Sequence, residues 1–404
     1  MTRKILEDVT VLDVTQWVTG GFATLMLANQ GAEVIKIERP EVGDDIRHSG
    51  PPFIEGESPY YWAVNYGKKS VEVDLKTDEG RELMYELAAE ADVFVENFRP
   101  GKIDDLGLGY EDIRAVNENI VYCSISAYGQ TGPWSERPGY DLLVQAQSGV
   151  MSVTGEADGP PAKVGIALAD LGTAMWAAFA MSNALYKQAR TGEGEYIDLA
   201  MLDSMIPLLT KQAGKVFAGE EPQRMGTRDP LLAPNQAYEA ADGYLIIASG
   251  NQPTWERLCE ALDREDLVDD ERFATNPDRL AHLDELEAEL ERTLADRPVD
   301  DWVEILSEYG VPAGAVNSVE EAMDQEQVQH RDVVTSLPHT AAGEQPVLEH
   351  PANYRNADSG FEAHAPLLGE HTREVLRSMG YGDEAVEDLF ERGVVYESGL
   401  AESS

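Results

Sequence analysis

The chain has 404 residues, 43% of them hydrophobic, with 75 acidic side chains against 31 basic ones and a formal net charge of -44. That length allows two to three domains with ample core, and that hydrophobic content excludes a disordered polymer. The acidic excess disfavours a nucleic acid or an anionic membrane as partner, and its spread along the whole chain is the pattern of a salt-adapted surface.

In chain order, "VTVLDVT" is predicted as a strand, Gly20-Gly21 as a turn, and "FATLMLANQG" as a helix stopped by Gly31. "AEVIKIE" and "KSVEVDL" read as strands, "TDEGRELMYELAAEA" as a helix opening at Thr77, and "DVFVENF" and "IVYCSISAYG" as further strands. Strands joined by helices in this way give a parallel α/β sheet, with ligands expected at the strand C-terminal ends. A long small-residue helix over 171–189 and a strand "EYIDLAML" follow. The division expected is 1–205 as the N-terminal part of a large α/β domain, 206–235 as a Pro/Gly-rich linker, 236–330 as a small α+β domain, and 331–404 as a return linker and C-terminal part. The small domain holds a hairpin around Asp242-Gly243 and the charged helices "TWERLCEALD" and "LDELEAELERTLAD". The chain then closes with two short helices in "HTREVLRSMGYGDEAVEDLFERG".

Cys123 and Cys259 lie far apart, and the seven histidines show no HExxH, so neither a disulfide framework nor a metal site is expected. The start lacks a signal-peptide core, and the longest apolar run, "AMWAAFAM", is far too short to span a membrane. The expectation is a soluble, cytoplasmic protein.

Three features invite chemistry. The turn "TQWVTGGFAT" lacks the GxGxxG pattern, so a tight strand-to-helix turn is favoured over a nicotinamide site, although Glu38 mimics the acid that binds ribose. Arg39, Lys76, Arg99, Lys102 and Arg137 recur near strand C-termini, in a chain with only 10 Lys and 21 Arg. They are either solvated charge or a convergent site for a polyphosphate anion. Asp170 sits among small residues in "GIALADLG", just ahead of the long helix. It reads as a helix N-cap, as a carboxylate nucleophile whose ionised form the helix terminus favours, or as both.

The segments "LDVTQWVTGGFATLMLANQGAEVIKIERPEVGDDIR", "ADVFVENFRPG", "YGQTGPWSERPGYDLLVQAQSGVMSVTGEADGPPAKVG" and "ALADLGTAM" resemble the class III CoA-transferases. That group includes formyl-CoA and carnitine CoA-transferases and a branch of 2-methylacyl-CoA racemases. The similarity continues through "IDLAMLDSM", "ERFATNPDR" and "LLGEHTREVLRSMGY", nearly the whole chain. The resemblance implies a Rossmann-like large domain built from both chain ends, a smaller inserted domain, and two identical subunits threaded as interlocked rings. It implies Asp170 as the catalytic aspartate and coenzyme A as substrate and product, with no tightly bound cofactor. CoA-binding positions carried over are Val18, Arg39, Val73, Leu75, Lys76, Asn97, Phe98, Arg99, Arg137 and Met201. Where formyl-CoA transferases place a base after "NFxPG", this chain has Asp105, and Lys102 one turn earlier is the substitute. Tyr140 and Asp141 are assigned to the substrate. So are Gly250 and Asn251, in a "SGNQ" loop at the place of a glycine-rich lid.

The racemase branch carries histidine in a "GHD" triplet, whereas this chain has Gly139-Tyr140-Asp141, and a phenol near pKa 10 is a poor base. A transferase is therefore expected, with a racemase or a non-catalytic acyl-CoA-binding protein as alternatives. Succinyl-CoA as donor and a small dicarboxylate such as mesaconate as acceptor follow only by analogy with salt-adapted members.

Overall fold

The computed structural model describes residues 3–340, 342–361 and 363–401. Its contacts divide into two compact units. One takes the chain up to Val150, then Val164–Ala213, then the chain from Gln327 onward; the other takes Met151–Lys163 and Gly214–Glu326. The stretch 151–163, placed with the large domain by the sequence reading, thus packs with the second unit. Within 206–235, read as a linker, Thr210–Phe217 is helical, and the long stretch without helix or strand runs from 218 to 234.

The first unit begins with β1 (Thr10–Asp13), α1 (Trp17–Asn29), β2 (Glu33–Glu38), α2 (Pro59–Asn65), β3 (Lys69–Val73), α3 (Asp78–Glu90) and β4 (Val93–Glu96). It continues with α4 (Lys102–Asp105), α5 (Tyr110–Val116), β5 (Val121–Ser126), α6 (Asp141–Gln147), α7 (Leu168–Thr191), β6 (Glu195–Ala200) and α8 (Met201–Met205). The second unit contributes β7 (Asn235–Glu239), β8 (Tyr244–Ala248), α9 (Gln252–Ala261), α10 (Leu283–Leu294), α11 (Val299–Glu308) and β9 (Ala313–Ala315). The return to the first unit adds β10 (Val334–His339), β11 (Gly343–Leu348), α12 (Thr372–Ser378), α13 (Asp383–Glu391) and β12 (Val395–Tyr396).

The large sheet has the order β12-β3-β2-β1-β4-β5-β6. Every pairing is parallel except β12 with β3, an antiparallel edge the sequence reading did not contain. Alternate residues feed opposite faces: Val11, Val34 and Val93 pack with Leu27, Ala177 and Met181 of α1 and α7. Leu12, Ile35 and Phe94 pack instead with Leu83, Ile113 and Val386 of α3, α5 and α13. Each such Val, Leu, Ile, Phe or Met side chain contributes about 1.5–3 kcal/mol on burial. In the second unit β7, β8 and β9 form an antiparallel sheet, with Ala240 N–H bonded to Gly243 O at the hairpin turn as expected. Trp255, Leu258, Leu290 and Trp302 fill its core.

Two local expectations need correction, and both bear on the site. Gly20 and Gly21 are not a turn; they lie inside α1, and the chain turns at Gln16-Trp17, where Trp17 has φ 62°. Gly20 is small because a Cβ there would lie 2.2 Å from Thr15 Cβ. The long helix starts at Leu168, earlier than the expected 171, so Asp170 is in its first turn and is not the N-cap. Capping comes from outside: Asp141 Oδ1 accepts the Ala169 N–H at 2.8 Å.

Candidate active site

Strand β1 pairs with β2 on one side and β4 on the other, so the strand order reverses at its C-terminal end. Crevices form at such a point because the connections leave for opposite faces. The Asn97 amide ties the two loops together, accepting the Gln16 N–H at 2.8 Å and donating to Gln16 O at 2.7 Å. Beside this tie lies a cavity of about 430 Å³, lined by Val18, Asn97, Phe98, Arg99, Arg137, Tyr140, Asp141, Asp170 and Met201, among others. A second cavity of about 360 Å³ is lined by Arg39, Val73, Leu75 and Lys76. Phe98 lines both. Ten of the eleven residues carried over for CoA thus fall on two cavities that share one wall.

Among the described residues, Asp170 and Asp141 are the two acids on the first cavity. Thr19 Oγ1 donates to Asp170 Oδ1 at 2.7 Å. Burial pushes the carboxyl up to about 6; the Thr19 bond opposes the shift and the nearby Asp141 adds to it. Helix-terminus stabilisation of the ionised form, expected from sequence, is therefore outweighed by desolvation. Above pH 6 the group is an ionised carboxylate without an ion-pair partner among the described residues. A desolvated, unpaired carboxylate is a stronger nucleophile than a hydrated one. Asp141 is committed to structure, since its second oxygen accepts from Gln145 Nε2 at 2.8 Å. Gly172 is the fifth residue of α7, where N–H groups bond one turn back, so its amide is not available to stabilise an oxyanion. Tyr140 lines the cavity and is exposed.

The basic residues divide. Arg39 pairs with Asp45, and Lys102, the residue outside both cavities, pairs with Asp105 at 2.7 Å. Arg99 and Arg137 have no acidic partner among the described residues; Arg137 lies over the Trp134 ring at 4.7 Å. In a chain with more than two acids per base, that is a signal of an anion to come. Asn251, in the second unit, caps α9 by accepting the Thr254 N–H at 3.0 Å, and Gly250 directly precedes it.

A family model described as CoA-transferase family III matches residues 6–372. The chain belongs to CoA-transferase family III. It is 40% identical to the succinyl-CoA:glutarate CoA-transferase of Mus musculus over 98% of this chain and 91% of that one. It is 38% identical to the succinyl-CoA:mesaconate CoA-transferase of Haloarcula hispanica, over 93% of this chain and 97% of that one. A solved CAIB/BAIF family protein from Brucella suis superposes with TM-score 0.86 at 39% identity, covering 94% of this chain and all of that one. The enzyme is thus a family III CoA-transferase, and CoA thioesters are its substrates.

Sequence reasoning missed three contributors to this family III site. Thr19 and Tyr60 line the cavity, and the Tyr60 phenol is raised by burial, then by Asp170 and Asp141. The third is a buried ionic network behind the β1–α1 turn. Lys68 Nζ donates to Asp13 Oδ2 at 3.0 Å, and Lys36 Nζ lies 2.9 Å from Asp44 Oδ2. Arg47 grips Glu38 through two bonds of 2.8 and 2.7 Å. Burial opposes ionisation of Glu38, but Arg47, Lys36 and the Ser70 hydroxyl hold it down to about 2. Only Glu38 had been noticed, as a mimic of a ribose acid; it is an internal ion-pair partner. Among the described residues no cluster could hold a metal ion, and no helix is long and apolar enough to cross a membrane.

Proposed function

We propose that the enzyme moves CoA from succinyl-CoA to a five-carbon dicarboxylate, with Asp170 as nucleophile. The observation that carries this reading is the unpaired Asp170 carboxylate held by Thr19 on a cavity that shares Phe98 with a second one. The nucleotide end of CoA fits the cavity of Arg39 and Lys76, and the pantetheine thiol passes Phe98 to reach Asp170. The Asp170 carboxylate attacks the thioester carbonyl and expels the CoA thiolate, leaving an aspartyl-succinyl anhydride. The thiolate attacks the Asp170 carbonyl, giving aspartyl-CoA and releasing succinate. The acceptor carboxylate then attacks aspartyl-CoA, re-forming an anhydride, and the thiolate takes the acyl group and frees Asp170. No water enters, so thioester energy is retained.

The two curated relatives are named for glutarate and for mesaconate, both five-carbon dicarboxylates, which supports that acceptor class over a monocarboxylate. Arg99 and Arg137 supply the positive charge that such dianions and CoA need. The test is a rate comparison of glutarate, mesaconate, oxalate and acetate with succinyl-CoA as donor. Equal rates for acetate and glutarate would sink the substrate assignment. A chiral 2-methylacyl-CoA should take up no solvent deuterium at its α-carbon; exchange at the rate of turnover would restore the racemase reading.

The working form is proposed to be an interlocked homodimer in a salt-rich cytoplasm. Met175, Trp176, Phe179 and Tyr186 stand exposed along α7, an apolar face that favours cover by a second copy. Light scattering should give twice the 44.3 kDa chain mass. With a net charge of -44, melting temperature and activity should rise from low salt to molar KCl. A monomer, or salt-independent melting, would remove these two assignments.

A further inference from the structure

Trp17 opens α1 with φ 62°, the left-handed region that a bulky aromatic residue rarely occupies. Something must over-determine it. Its N–H donates to Asp44 Oδ1 at 3.0 Å, and the same oxygen accepts the Ile46 N–H at 3.1 Å. The other oxygen of Asp44 faces Lys36 Nζ, which in turn donates to Thr15 O at 2.8 Å. Asp44 N–H donates to Glu38 Oε2 at 2.9 Å, so the residue is anchored at both ends. Asp44 is 1% exposed and lines neither cavity. Two residues beyond Trp17, in the same helical turn, Thr19 makes its 2.7 Å bond to Asp170.

We propose that Asp44 is a positioning residue for CoA transfer: it holds the Trp17 amide in its left-handed turn and thereby seats the Thr19 hydroxyl on Asp170. This rests on Asp170 being the nucleophile. Released from Asp44, the Trp17 backbone relaxes toward negative φ, the first turn of α1 rotates, and the hydroxyl leaves the carboxylate.

The Thr19 bond favours ionised Asp170, so its loss raises the pH below which the nucleophile is protonated. The other titratable groups on this cavity are Tyr60 from α2, Tyr140 and Asp141 at the start of α6, and Arg99 and Arg137 from the loops after β4 and β5. Asp44 itself lines neither cavity, so its variants replace none of these groups.

The experiment uses the purified full chain. It measures the single-turnover rate of anhydride formation from succinyl-CoA between pH 5 and 8, with hydroxylamine trapping Asp170 as a hydroxamate. Thr19→Val should move the acid limb up by about one unit, about a tenfold loss at pH 5, while Thr19→Ser keeps the wild-type limb. Asp44→Asn is isosteric but cannot accept from both Trp17 and Lys36, and should move the limb in the same direction. The double variant Thr19→Val/Asp44→Asn should move it no further than Thr19→Val alone. Should Asp44→Asn fail to fold, Asp44→Glu keeps the charge beside Lys36 but displaces the acceptor, and carries the same expectation. An acid limb unmoved in Thr19→Val or in the Asp44 variant, or fully additive shifts, would overturn the proposal. If hydroxamate still forms on Asp170 in those cases, only this inference fails; if none forms in the wild type, the nucleophile assignment fails instead.

Discussion

Two sets of buried carboxylates lie within one unit of this enzyme, and they have opposite fates. Behind the β1–α1 turn, Asp13 and Glu38 are fully enclosed, yet both are held ionised: Lys36 and Lys68 drive Asp13 well below the usual carboxylate range, and Arg47 drives Glu38 down to about 2. At the cavity, Asp170 has the Thr19 hydroxyl and no cation among the described residues, and burial lifts it to about 6. At the end of β4, Glu96 has a Ser124 hydroxyl and the Phe98 N–H but no cation, and burial lifts it to about 7. Three of the four are buried and Asp170 is partly so; the presence of a cation decides between a fixed charge and an adjustable one. A fixed charge locks backbone in place, and an adjustable one is available for bond making.

The sharpest way to break this comparison is to remove the adjustable charge. Asp170→Ala should fold and bind CoA but lose more than about a thousandfold in transfer, with no hydroxamate formed. Retention of transfer within tenfold would put Asp170 among the structural acids. On the other side, Arg47→Met leaves Glu38 enclosed without its partner and should cost about 3–5 kcal/mol in urea unfolding. Because Glu38 falls from an ordinary 4.5 to about 2, its contribution is fully present above pH 4.5 and is lost as pH drops toward 2.

The sign reverses at the cavity. The Asp170 pKa is raised by folding, so its ionised form works against stability above pH 6, and that penalty fades as pH falls toward 4. Asp170→Asn should therefore stabilise the inactive enzyme by about 1–2 kcal/mol at pH 8 and by little at pH 4. An equal gain at both values would show that desolvation is not the cause. The smallest effect belongs to Glu96→Gln, which replaces a group already half protonated near pH 7 and should change stability by less than about 1 kcal/mol. A loss comparable to that of Arg47→Met would mean that Glu96 is ionised and paired after all.

Parts of this arrangement were readable without coordinates because their causes are local. Val–Ile runs mark β1 to β6, Gly31 at φ 100° stops α1, and the Thr77 hydroxyl accepts the Gly80 N–H where a cap was expected. Asp170 stood out because an acid among small residues needs an explanation. Its partner did not, because Thr19 lies 151 positions away and only the packing of α1 on α7 brings them together. The paired glycines suggested a turn where the helix already runs, since their smallness serves close contact with Thr15 and Val64. Edge strand β12, two residues long, has no periodicity to read, and the Asp13–Lys68 pair depends on the register of β1, β2 and β3.

The antiparallel strand that closes the β3 edge has a consequence for synthesis. β3 is complete at Val73, but its partner Val395 is added more than three hundred residues later. At ribosomal rates of about 5–20 residues per second, that edge stays bare for roughly 15 to 60 s on every nascent chain. An open edge beside a hydrophobic sheet is a template for pairing with a neighbouring polypeptide. A slower ribosome lengthens that exposure in direct proportion.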